Sequence, residues 1–78
     1  MWHEGTIGIP VEGGLQPHHF WVKSFEKASK YGIEGGRISK LFIKRGSEVV
    51  CSYDRGWGIK PKDKAAKQVM AILMTNYN

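Results

Sequence analysis

Three histidines, His3, His18 and His19, and one cysteine, Cys51, are the side chains of this 78-residue sequence best suited to holding a soft metal ion or to acting as a nucleophile and its base. Their spacing argues against both roles. Adjacent residues on an extended chain point to opposite faces, so His18 and His19 cannot share an ion from one strand, and no pair has zinc-ligand spacing. Cys51 sits within an apolar, strand-like run, where a thiol packs as a small hydrophobe. The paired acids and polar triads that reactions need are missing. The sequence predicts a non-enzymatic protein with no metal and no cofactor.

The stretch KYGIEGGRISKLFIKR, Lys30 to Arg45, sets three glycines beside Glu34 and Arg37. Phosphate cradles place such glycines at a helix N-terminus, where unpaired N–H groups converge. Here they lead into a strand, Glu34 would repel a phosphate, and the Walker and dinucleotide patterns are absent. We therefore expect a structural bend. Its reversal is expected to bring Arg37 beside Asp54, and a positive φ at Gly36 would make Gly36→Ala destabilising. From the start of its strand, Arg37 remains able to touch an anion.

The second source of chemistry is charge mixed with aromatics. The net charge is +5, and all twelve Lys and Arg residues lie from Lys23 onward, against only five acids there, Glu26, Glu34, Glu48, Asp54 and Asp63. Such asymmetry favours an anionic partner, nucleic acid or an acidic protein surface, over a neutral one. Trp21, Phe25, Phe42 and Tyr53 interleave with Lys23, Lys27, Lys40 and Lys44, inviting comparison with sheets that stack bases. In YDRGWGIKP, Tyr53 to Pro61, Arg55 and Trp57 are of the types that dominate binding hot spots. The glycines flanking Trp57 also suit a corner in which the indole plugs the end of the core. The candidate partner-binding residues are Arg37, Lys40, Phe42, Lys44, Arg55 and Trp57.

These residues need a frame. Trp2 to Val11 reads as a strand containing Gly5 and Gly8, EGGLQPHH supplies turn chemistry, and His19 to Lys27 alternates with a period of two. Arg37 to Arg55 reads as a β-hairpin turning at Gly46 and Ser47. A helix from Pro61 to about Asn76 has Asp63 near the positive end of its dipole. Ala65, Ala66, Val69, Met70, Ile72, Leu73 and Tyr77 fall on one stripe of it. The expected fold is α+β, β-β-β-β-α: a four-stranded, mostly antiparallel sheet with one C-terminal helix packed on one face.

A three-residue hairpin loop, Arg45 to Ser47, sets Ile43 against Val49, Leu41 against Cys51 and Ile38 against Asp54. The expected core is then Leu41, Ile43, Val49, Cys51, Val69, Ile72 and Leu73, with Ser39 and Tyr53 on the same face. Ile38, Lys40, Phe42, Lys44, Val50 and Ser52 occupy the other, uncovered face. A one-residue slip would exchange the two.

Length and composition, with 41% hydrophobic residues, give a single domain spanning residues 1–78. A lone cysteine cannot form an internal disulfide and points to a reducing cytoplasm. The longest apolar run, Val69 to Met74, is too short to span a bilayer. The strings YGIEGGRISKL, YDRGWGIKP and TNYN resemble a group of short uncharacterised proteins from phages and mobile elements of Gram-positive bacteria. That resemblance implies a small intracellular accessory protein and transfers no site residue. The resulting expectation is a binding module for an anionic partner, monomeric or homodimeric. The alternative is a self-association module that dimerises through the uncovered sheet face.

Overall fold

The computed structural model describes residues 1–78. Five strands, β1 (Trp2–Val11), β2 (Gly14–Ser24), β3 (Ile38–Arg45), β4 (Glu48–Asp54) and β5 (Trp57–Ile59), precede one helix, α1 (Lys64–Tyr77). The strands pair antiparallel in chain order, β1-β2-β3-β4-β5. The α+β class and the C-terminal helix are as expected, whereas the sheet has five strands and not four. The extra strand is three residues long, its Trp57 flanked by Gly56 and Gly58, so it carries no alternating pattern.

The helix begins later than Pro61. Asp63 is its N-cap, accepting the Ala66 backbone N–H at 2.9 Å. Ala66, Val69 and Leu73 stand three and four residues apart on one face and are buried in the same cluster as Val22, Leu41 and Ile43. Ile72, one position from Leu73 and so about 100° around the helix, is 40% exposed and leaves the expected core. Val49 is only half-buried. The helix is too short and too polar to cross a membrane, and no other helix is present that would.

The β3–β4 hairpin differs from the expected register. Its loop is the two-residue turn Gly46–Ser47, with Arg45 opposite Glu48, and a bulge then sets Ile43 opposite Cys51 and Leu41 opposite Tyr53. Relative to the expectation the register moves by two residues, so Leu41, Ile43, Cys51 and Tyr53 keep their common inner face. The bulge turns Val50 inward as well, and an irregularity between β2 and β3 does the same for Ile38 beside Ser39. Both Val50 and Ile38 were expected on the uncovered face. The shift also removes the expected Arg37–Asp54 neighbourhood: Lys40 lies opposite Asp54, with a 3.7 Å ion pair.

The glycine-rich segment is a bend, for a different reason from the one expected. Gly35 has φ +71 and Glu34 φ +53, while Gly36 lies at φ −95, which any residue adopts. What Gly36 provides is room, because a methyl group there would overlap the side-chain amide of Asn78. That amide joins the bend to the far end of the helix. Its Oδ1 accepts the Ile38 N–H at 2.9 Å, and its Nδ2 donates to the Ile33 carbonyl at 3.2 Å. Ile33, at the centre of the bend, is 1% exposed.

At the other end of the helix, Arg45 makes a two-pronged contact with the capping carboxylate: Nη1 to Asp63 Oδ1 at 3.2 Å and Nη2 to Oδ2 at 2.6 Å. The same Nη1 lies 3.4 Å from Nε2 of the fully buried His18, whose Nδ1 is 3.1 Å from the Gln16 carbonyl. A guanidinium can only donate. His18 therefore accepts at Nε2 and donates from Nδ1, so both nitrogens of the buried ring are satisfied.

Candidate functional site

Helix α1 covers the inner face of the sheet, leaving the outer face without a covering element. Alternation along the strands brings cations and aromatics together there. Trp21 of β2 lies directly opposite Phe42 of β3, with Ser52 beyond on β4 and Glu4 before on β1. On one side of this row Lys23 lies opposite Lys40, and on the other His19 lies opposite Lys44. Trp21, Phe42 and the three lysines are all half-exposed, so ring surface and ammonium groups both reach solvent. The row is held in place by His19, which bonds Glu4 Oε2 at 2.6 Å and Thr6 Oγ1 at 3.0 Å and meets Trp21 edge-on, centroids 4.5 Å apart.

Where the lysine row ends, the chain builds a cavity of about 380 Å³. Lys23 and Lys40 line it from the sheet, Phe25 and Tyr31 from the segment after β2, and Arg55 from the β4–β5 turn. No acid is among its lining residues. Arg55 is in the left-handed region, φ +59, a costly conformation for a residue with a side chain. Two hydrogen bonds hold the turn, Arg55 N–H to the Ser39 carbonyl and Asp54 N–H to the Gly56 carbonyl, both 2.9 Å. The guanidinium thereby lies 4.6 Å from the centre of the Tyr31 ring. Tyr31 is itself anchored, since its carbonyl accepts the Tyr53 hydroxyl at 2.8 Å.

The six residues singled out from the sequence divide. Lys40, Phe42 and Lys44 lie together on the open face, and Arg55 joins Lys40 at the cavity. Arg37 lies apart, its Nε 3.4 Å from the Asn78 carbonyl at the end of α1. Trp57 is neither on the open row nor a plug: it is 40% exposed and meets Tyr53 edge-on at 5.1 Å. The core cluster, which includes Ile33 and Ile38, closes without it. Tyr31 and His19 were missed. The run from Trp21 to Phe25 already carried the period-two signal for this face, but nothing in the local sequence announces that Tyr31 folds back onto it. Cys51 is fully buried, and desolvation pushes its thiol up to about 11, leaving it unreactive in the native state.

Across its whole length, residues 1–78, the chain matches a family described as a domain of unknown function, DUF7678, and it belongs to that family. No curated protein and no solved structure matches it.

Proposed function

We propose that this DUF7678 domain is a non-enzymatic binding module whose open sheet face receives single-stranded nucleic acid. The observation that carries the reading is the placement of Trp21 opposite Phe42 on an uncovered sheet face, framed by Lys23, Lys40 and Lys44. Unpaired bases offer ring faces to such a platform, and the lysines meet the phosphates. An acidic protein surface would satisfy the lysines and leave the aromatic row unused. Self-association through this face is disfavoured by the same charges, because a twofold contact would bring a second set of the three lysines against the first.

Fluorescence anisotropy of labelled single-stranded and duplex oligonucleotides, at low and physiological salt, tests the proposal. Three phosphate contacts predict log K falling against log salt with a slope of about −2. Trp21→Ala or Phe42→Ala should weaken single-strand binding about 5- to 150-fold, as expected for ~1 to 3 kcal/mol of stacking per base. Absence of single-strand binding at low salt, or binding indifferent to both aromatic substitutions, would overturn it.

A further inference from the structure

The cavity at the end of the lysine row has a composition that the open face lacks. Lys23 and Lys40 stand directly opposite each other across β2 and β3, a like-charge pair that opposes pairing of the strands unless an anion lies between them. Asp54 answers Lys40 only, at 3.7 Å and half-exposed, and Lys23 makes no ion pair. Beside these ammonium groups are flat surfaces. The Phe25 ring lies with the Lys23 ammonium 5.4 Å from its centre, and the Arg55 guanidinium lies over the Tyr31 ring at 4.6 Å. The turn that presents Arg55 is strained, and strain of this kind persists where the surrounding structure fixes it.

We propose that this cavity binds one phosphate-bearing nucleotide, its phosphate between Lys23 and Lys40 and its base against Phe25 and the guanidinium plane of Arg55. A volume of about 380 Å³ suits a single nucleotide and not a longer segment. Three lining cations with no lining acid suit a terminal phosphomonoester, which carries close to two negative charges at neutral pH. If a strand lies along Trp21 and Phe42, the cavity receives its phosphorylated end; that part of the inference rests on the proposed function, and the nucleotide site itself does not.

Backbone amide NMR titrations with adenosine 5′-monophosphate, adenosine and inorganic phosphate test the site directly. Saturable shifts at Lys23, Tyr31, Lys40 and Arg55 with the monophosphate, at least about 10-fold tighter than with adenosine or phosphate alone, support it. Arg55→Asn is the matched variant, because asparagine tolerates the left-handed backbone and removes the charge. It should keep the native spectrum and melting temperature within a few degrees while weakening the monophosphate about 10-fold or more. No saturable shift with the monophosphate, or equal binding by Arg55→Asn, overturns the nucleotide site. A 5′-phosphorylated oligonucleotide that shifts Trp21 and Phe42 but not the cavity amides overturns the placement of the strand end in the cavity and leaves the sheet-face reading standing. Monophosphate binding in the cavity without oligonucleotide shifts on the face overturns the sheet-face reading and leaves the nucleotide site standing.

Discussion

Gly36→Ala should destabilise the protein through a residue 42 positions away in the chain, Asn78. At φ −95 alanine fits the Gly36 backbone without strain, and replacing glycine lowers unfolded-chain entropy, a gain of ~0.4 to 1 kcal/mol. Against this, the new methyl displaces the Asn78 amide. The N–H of Ile38, a residue with 0% exposure, then loses its 2.9 Å acceptor, which costs ~1 to 3 kcal/mol. The Ile33 carbonyl is less affected, because it still accepts the Gly36 N–H at 2.9 Å. The net loss is ~0 to 2.6 kcal/mol for Gly36→Ala, centred a little above ~1 kcal/mol, and ~1 to 3 kcal/mol for Asn78→Ala. In the Asn78→Ala background the obstacle is gone, so Gly36→Ala should become neutral or stabilising by up to ~1 kcal/mol. Urea unfolding of the four proteins, with stabilities extrapolated to water, supplies the cycle. Gly35→Ala is the control: with φ +71 it should cost ~1 kcal/mol whatever stands at position 78. If Gly36→Ala costs the same with and without the Asn78 side chain, the bend does not depend on the amide and the reasoning fails.

Two further outcomes follow from the helix. Leu73→Ala, at a fully buried position, should lose ~2 to 5 kcal/mol in thermal or urea melts, while Ile72→Ala, 40% exposed, should lose under ~1 kcal/mol. The Asp63 carboxyl is held down from 3.8 to about 2, first by its hydrogen bonds from Arg45 and then by the Ala66 N–H, so the folded state binds fewer protons than the unfolded one. Its contribution is therefore complete above about pH 4 and lost as pH falls towards 2; the stability difference between the native sequence and Asp63→Asn should shrink through that window and stay flat above it.

The fold was legible wherever period-two or helical spacing ran uninterrupted. Leu41, Ile43, Cys51, Val69 and Leu73 occupy the core for that reason, and Lys40, Phe42 and Lys44 share the open face for the same one. What was not legible breaks period or spans distance. Bulges turned Ile38 and Val50 inward, and no local residue choice marks a bulge without glycine. Strand β5 is too short to show alternation. The partner of Gly36 lies at Asn78, and Tyr31 reaches the cavity through a tertiary bond from Tyr53, neither of which spacing can reveal. Arg55 was readable as a binding-type residue, whereas the strained turn that aims it was not.

The Asn78 amide also couples the end pocket to the far end of the helix. Every strand in the sheet pairs with its neighbour in the chain, across two-residue turns except between β2 and β3, where residues 25–37 intervene. The bond from Ile38 to Asn78 spans 40 residues and joins the bend to the docked helix. The bend carrying Ile33, and with it the Tyr31 wall of the cavity, thus draws two of its hydrogen bonds from the Asn78 side chain. Loosening at the end of the helix would therefore reach the pocket wall through the Asn78 amide, without breaking a strand-to-strand bond of the sheet.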